Sequence, residues 1–318
     1  MSFSGTVKEE LSKVFGKPRH CQIAELAVLL GMSGVVAYDL RSQISLRIVT
    51  ENFYLAVKVF TLFAKTFKII PEVSVRRARN KKNTSYLILL INEEDVMRVL
   101  KATKLINKDI DELYKDKLVN PLVIRSMCCR RSFLRGAFIG GGSMSDPGKA
   151  YHFEWICSSL EGANQVREVI SSFEIEAKVI KRKNTWVVYL KEGSSVVDVL
   201  NIMEAHVALM ELENIRILKE ISNTVNRKVN CETANINKTV LAAVKQVEDI
   251  KYLQEVVGLS NLPENLEEMA IIRLTYPEDS LKDLGEYLSP PVGKSGVNHR
   301  LRKICELAEK ERLKREDV

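Results

Sequence analysis

Leu134-Arg135-Gly136-Ala137-Phe138-Ile139-Gly140-Gly141-Gly142-Ser143 carries two patterns at once. Leu134, Ala137 and Phe138 stand at i, i+3 and i+4, which lays an apolar stripe along one helix face. Gly136 and Gly140 stand four apart on a neighbouring face. A mid-helix glycine costs about 1 kcal/mol relative to alanine. Two at this spacing predict that another backbone comes close. Three glycines then close the helix, where a left-handed residue is usually needed.

A second segment matches it. Ala24-Glu25-Leu26-Ala27-Val28-Leu29-Leu30-Gly31-Met32-Ser33-Gly34 has the same apolar character and a Gly-x-Ser-Gly end. The Leu134–Ser143 segment resembles the LAGLIDADG helix of homing endonucleases. In that family two such helices pack through their small residues, and each ends in an acidic residue that holds a divalent metal over the scissile phosphate. With Gly142 and Gly34 as the closing glycines, the metal positions fall on Gly141 and Ser33. Glycine offers no ligand, and a lone hydroxyl is a poor one for magnesium. The resemblance therefore implies a nuclease scaffold without a nuclease site.

The rest of the chain repeats around these two helices. In the first half, a short helix begins near residue 6, where Thr6-Val7-Lys8-Glu9 has capping-box spacing, and a helix over 19–33 follows. A strand over Ser45–Val49 comes next. A helix over 52–68 carries Phe53, Val57, Phe60, Phe63, Ala64 and Phe67, read as core. Val73–Ile91 reads as a hairpin and Glu93–Leu105 as a helix. After a polar linker near 107–120 the order returns. It runs as a helix over 131–141, strands around 151–159, a helix over 160–173, a hairpin at 177–191 and a helix over 194–205. Lys81-Lys82-Asn83-Thr84 corresponds to Arg182-Lys183-Asn184-Thr185, and Val96–Leu100 to Val196–Leu200. Two matches about a hundred residues apart, in the same order as the helices, indicate a duplication. Each half reads αββαββα, the order of the LAGLIDADG half, in which four strands form a saddle that lies on DNA. The predicted fold is α+β: a duplicated LAGLIDADG-like domain over 1–222, with halves at about 1–106 and 121–222, then an all-α domain over 223–318. The polar stretch Asn223–Asn230 is read as the connector between them.

Charge agrees with a nucleic-acid partner. The chain has 318 residues, 46% hydrophobic, a net charge of +7 and a pI of about 9.0, which favours an acidic partner. Arg76, Arg77, Arg79, Lys81 and Lys82 crowd the first hairpin; Lys178, Lys181, Arg182 and Lys183 crowd the second. Such clusters suit phosphates. The six cysteines, Cys21, Cys128, Cys129, Cys157, Cys231 and Cys305, contain no Cys-x-x-Cys, and by spacing the four histidines do not cluster with them, so no zinc site is expected. Cys128 and Cys129 read as semi-buried thiols rather than a redox pair. No signal sequence or membrane span is recognised, which leads to the expectation of a soluble cytoplasmic, nucleoid-associated protein. Gly140-Gly141-Gly142 is not a nucleotide loop, because such motifs open a helix and these glycines end one.

The C-terminal hundred residues have their own logic. Leu266–Leu274 is helical and stops at Tyr276-Pro277. Ser280 can cap a helix whose stripe is Leu281, Leu284 and Leu288, with Gly285 where a second helix crosses. Ser289-Pro290-Pro291-Val292-Gly293 must turn. In the next helix Val297, Leu301 and Ile304 face inward, while Ser295, Asn298, His299 and Arg302 share the outer face. Lys294, Arg300 and Lys303 flank it, and no acidic residue occurs between Pro290 and Lys303. A recognition helix in the major groove needs this set: short polar and arginine side chains toward base edges, cations toward phosphates. The spacing resembles helix-turn-helix modules of the sigma-factor region 4 type.

A degenerate LAGLIDADG pair followed by a helix-turn-helix resembles the WhiA family of Gram-positive regulators along nearly the whole chain, most specifically at Leu134–Pro147, Asn226–Asn235 and Ser280–Ile304. The resemblance implies a non-catalytic regulator that binds double-stranded DNA, tied to sporulation, cell division or chromosome segregation. A sigma factor, another regulator or a division protein is the candidate protein partner; no cofactor, metal, membrane or small-molecule substrate is called for. Two other readings make different demands. An active nuclease would need a carboxylate at each helix end; Asp146 lies five residues past Gly141 and Asp39 six past Ser33, too far along for the motif. A protein–protein adaptor or nucleoid-associated protein would use the duplicated domain as a docking platform.

Overall fold

Gly136 and its neighbours explain why two helices sit in contact along their length. The structure, a computed structural model, describes residues 2–38, 44–77, 84–106 and 117–316. Its chain divides into two compact units, residues 1–219 and 220–318. In the first unit α1 (Phe3–Lys13) precedes α2 (Arg19–Ser33), which runs into β1 (Gly34–Tyr38) and β2 (Ile44–Thr50). Then come α3 (Phe53–Leu62), the hairpin β3 (Glu72–Arg77) and β4 (Thr84–Leu90), and α4 (Glu93–Ala102). The second half repeats this as α5 (Met127–Gly141), β5 (Gly142–Met144), β6 (Phe153–Cys157), α6 (Leu160–Ser171), β7 (Lys178–Arg182), β8 (Thr185–Leu190) and α7 (Gly193–Ile202). Each half builds one antiparallel sheet, in the orders β1-β2-β4-β3 and β5-β6-β8-β7.

The α2–α5 pair is close because its facing residues are small. A Cβ on Gly136 would lie 2.6 Å from Val28 Cγ1 and 3.0 Å from the Glu25 carbonyl; one on Gly140 would lie 3.1 Å from Met32 Sδ. The closing glycines correct one expectation. Gly34 and Gly142 are extended, with φ −80° and −83°, not left-handed. Each helix passes directly into a strand, so no reversal is needed. The two glycines are equivalent across the repeat, 108 residues apart (142 less 34). The duplication also shows in backbone detail. Lys68 and Glu174 take φ 61° and 63°, and Lys104 and Glu204 take 57° and 66°, each just after the corresponding helix of its half. Val96, Val99 and Leu100, with Val196, Val199 and Leu200, are fully buried.

Two sequence expectations need revision here. Phe53 and Phe60 of α3 are 54% and 36% exposed, not core. Residues 53, 57 and 60 form their own stripe, opposite the buried Leu55, Ala56, Val59 and Leu62. The second revision is the connector. A single helix, α8 (His206–Val256), runs through 223–230 and takes in the separately predicted helix at 237–257. No glycine or proline interrupts residues 206–257, so polar composition alone does not break it. The Glu10 carboxylate accepts from the Val207 and Ala208 N–H groups at 2.8 and 3.0 Å and caps its start. Its end is Gly258 at φ 84°, a conformation that suits glycine.

In the second unit the end of α8 packs with α9 (Glu264–Thr275), α10 (Leu281–Glu286) and α11 (Lys294–Glu316). Leu284, Leu288, Val297, Leu301 and Ile304 are buried together with Met269 and Ile250. Among the described residues no helix is long and apolar enough to cross a membrane.

Candidate nucleic-acid interface

The turn before α11 is set by Gly285. A Cβ there would lie 2.0 Å from the Val292 carbonyl, so only glycine lets the turn fold back on α10. The Val292 N–H in return donates to the Gly285 carbonyl at 2.9 Å. Ser280 opens α10 with a capping box closed by Asp283. The expected helix-turn-helix residues Ser280, Leu281, Leu284, Gly285, Leu288, Val297, Leu301 and Ile304 therefore come together as cap, crossing point and core.

On α11 the side chains of Lys294, Ser295, Asn298, His299, Arg302 and Lys303 are all exposed. Arg300 is not part of that face. It is half-buried, donates to the Asn265 carbonyl at 3.4 Å and lies 3.8 Å from Glu268. Glu268 also accepts from the Ser289 N–H at 2.9 Å, so one α9 carboxylate holds both the turn and the following helix. Arg273, buried in α9, donates to the Asp279 carbonyl just before α10. Arg312 pairs with Asp249 of α8 at 2.7 Å. The sequence pattern missed these positioning residues, because a charged residue in a helix reads by default as solvated.

The hairpin clusters divide by strand alternation. Successive strand residues point to opposite faces, and cross-strand partners share one. On the sheet face away from the helices lie Arg76 opposite Ser85, and Arg182 opposite Thr185. Arg77 and Lys181, one residue along, lie on the other face, with Lys181 over the Trp186 ring at 5.7 Å. Lys183 is exposed in the second turn, and Arg79, Lys81 and Lys82 lie outside the described residues. Arg47 joins Arg76 on the first floor, in a pocket with Val49, Leu87 and Leu89. On the second floor Glu154 takes up charge: it pairs with Arg182 at 3.4 Å, meets His152 at 3.1 Å and accepts from Ser143 at 3.0 Å. Ile156 and Ile180 share that floor and are exposed.

The α2–α5 axis has chemistry in its middle and at its two ends. In the middle, Glu25 is fully buried between Lys58 at 2.9 Å and Arg135 at 3.0 Å. Arg135 also reaches Glu204 at 2.8 Å. Burial brings the Lys58 ammonium down to about 8, against the stabilising Glu25. At the C-terminal end stand Ser33 and Gly141. At the N-terminal end the expectation of scattered thiols fails: His20, Cys21, Cys128 and Cys129 bring one ligand atom each within 4.8 Å of one another. Cys21 and Cys129 are buried, Cys128 exposed. Burial, with the neighbouring thiols, pushes Cys21 up to about 12. The missed signal was the repeat itself: vicinal pairs at equivalent positions of two halves converge, although no single segment shows a metal-ligand spacing.

Three family models match along the chain: the WhiA N-terminal LAGLIDADG-like domain over residues 19–106, the WhiA LAGLIDADG-like domain over 130–222 and the WhiA C-terminal HTH domain over 225–308. A protein of Lachnoclostridium phytofermentans described as "Probable cell division protein WhiA" is 49% identical over 97% of this chain and 99% of its own length. The chain belongs to the WhiA family. A relative with the same description from Alkaliphilus oremlandii is 48% identical over 98% of each chain. The full-length DUF199/WhiA crystal structure from Thermatoga maritima aligns with a TM-score of 0.58 at 26% identity, covering 98% of this chain and 99% of that one. The fold is thus the WhiA one, a duplicated LAGLIDADG-like domain and a helix-turn-helix domain.

Proposed function

We propose that this WhiA chain is a non-catalytic transcription regulator that reads double-stranded DNA through α11 and acts in cell division, chromosome segregation or sporulation in the cytoplasm, on the nucleoid. One observation carries the reading: Ser295, Asn298, His299 and Arg302 form a solvent face on the first half of α11, with no acidic residue from Pro290 to Lys303. Polar and arginine side chains of this kind read base edges, while Lys294 and Lys303 serve phosphates. The non-catalytic part is supported by Ser33 and Gly141, neither of them a carboxylate, at the ends of α2 and α5.

The test is selection of bound duplexes from a random pool at near-physiological salt, with the full chain and its His299→Ala/Arg302→Ala variant. The expected result is an enriched motif for the native chain that the variant loses while keeping random-DNA affinity. Equal weakening on both pools would overturn the reading role. A second reading has its own observation. Among the described residues the sheet floors carry Val49, Leu87, Leu89, Ile156 and Ile180, and on the second floor Arg182 is taken up by Glu154, which supports docking of a sigma factor, another regulator or a division protein.

A further inference from the structure

We propose that His20, Cys21, Cys128 and Cys129 form a tetrahedral zinc site that clamps the N-terminal ends of α2 and α5. The donor set is one imidazole and three thiols, a composition typical of structural zinc. Their ligand atoms lie within 4.8 Å of one another. His20 Nδ1 is 3.0 Å from Cys129 Sγ and 3.5 Å from Cys21 Sγ. Zinc bonds of about 2.0–2.3 Å at tetrahedral angles put neighbouring donors roughly 3.5–3.8 Å apart, so small side-chain shifts complete the shell.

The two halves supply the ligands in pairs. His20 and Cys21 are the second and third residues of α2; Cys128 and Cys129 are the second and third of α5. The pairs are equivalent across the duplication, since 128 less 20 is the same 108 that relates Gly34 and Gly142. Each pair therefore sits in the first turn of its helix. One ligand of each pair is buried and one exposed, which gives a fixed inner half and an open path for the ion. Binding displaces one proton from each of three cysteines, leaving a site of net charge −1. Arg131 and Lys17 line the same cavity as Cys21 and Cys128 and offset it. The clamp ties two helices that are far apart in sequence, the kind of closure by which a metal adds to folding stability.

The experiment uses the full chain, purified under reducing conditions without added chelator. Metal is measured by elemental analysis, and the apo chain is titrated with zinc or cobalt(II). About one zinc per chain is expected, with thiolate-to-cobalt charge-transfer bands and tetrahedral ligand-field bands on substitution. Cys129→Ser should lose the ion and Cys231→Ser should keep it. Because a buried substitution could unfold the chain, the exposed position supplies a second variant: Cys128→His should retain zinc with a shifted cobalt spectrum, and Cys128→Ala should not. Less than about a tenth of an ion per chain after reconstitution, an octahedral cobalt spectrum, or equal zinc in the native and Cys129→Ser chains would overturn the site.

Discussion

The two ends of the α2–α5 pair face different problems with the same backbone. At the end that enters the sheets, Ser33 and Gly141 are equivalent positions without a carboxylate. A Cβ on Gly141 would lie 2.5 Å from Met32 Cε and 2.7 Å from the Ile156 carbonyl, so this end is closed by packing. At the opposite end the equivalent positions carry four soft ligands in open, partly exposed geometry. A duplicated helix pair thus offers a two-fold cluster at each end, and residue identity decides which end has chemistry. Between them the symmetry breaks. Glu25 and Arg135 are buried partners, and their equivalents by the same offset are Phe133 and Ala27.

The sharpest way to break this comparison is to remove the asymmetric middle. Glu25→Gln leaves Lys58 and Arg135 buried without their shared counter-charge, with Glu204 the remaining carboxylate on Arg135. Truncating one partner of a buried ion cluster costs about 3–5 kcal/mol. Urea denaturation followed by circular dichroism should show a loss of this size in the 1–219 unit. A change under about 1 kcal/mol would mean that the packed ends, not the charges, hold the pair.

A smaller effect tests the closed end. Restoring a carboxylate should be tolerated on one side only. Ser33→Asp adds atoms beyond an existing Cβ and should cost less than about 1 kcal/mol. Gly141→Asp drives a Cβ into the Ile156 backbone and should cost about 2–3 kcal/mol. The double variant should not cleave duplex DNA in magnesium, because the second carboxylate cannot take its place without moving β6. Equal stability of the two single variants would show that the end is open after all.

Legibility in the sequence followed the range of each cause. The apolar stripes of α5 and α10, Ser280 as a cap and the exposure of Ser295, Asn298, His299 and Arg302 depend on residues three or four apart, and they stand where the pattern placed them; the α3 face and the Thr6 capping box do not, since Phe53, Val57 and Phe60 are exposed and α1 opens at the Ser2 cap. The duplicated order was legible because two short matches between the halves survive, one at the hairpin turns and one at Val96–Leu100. Long-range convergence was not. The thiol cluster needs two segments a hundred residues apart to meet, and Glu25 looks like any helical glutamate until Lys58 and Arg135 are packed beside it. The strand faces divided the hairpin charges, because a run of basic residues does not show where the period of two begins. The α8 helix was misread for the opposite reason: its residues from 220 to 242 are all exposed, so no burial stripe advertises it, and only the lack of a breaker keeps it continuous.

The last test contrasts the middle of the pair with its thiol end by pH. Lys58 is held at about 8 in the fold, below the ordinary 10.5 it recovers on unfolding. Between those values the unfolded chain binds more protons than the folded one, so this residue's contribution to stability rises with pH. Below about 8 both states are protonated and the contribution is flat. Cys21 has the opposite sign. Its thiol is pushed up to about 12 from 9.0, so above 9.0 the folded chain holds the extra proton and stability falls as pH rises. With zinc bound the thiol proton is already displaced, and that falling slope should vanish. Denaturation midpoints of the native chain from pH 8 to 10.5, with and without chelator, should therefore diverge, the chelated chain losing ground to the zinc-bound one as pH rises above 9. Lys58→Met, measured alongside, should fall progressively behind the native chain over the same window, because it lacks the rising contribution. Parallel native and Lys58→Met curves would mean that Lys58 keeps an ordinary ammonium in the fold, and that Glu25 rather than burial sets its state.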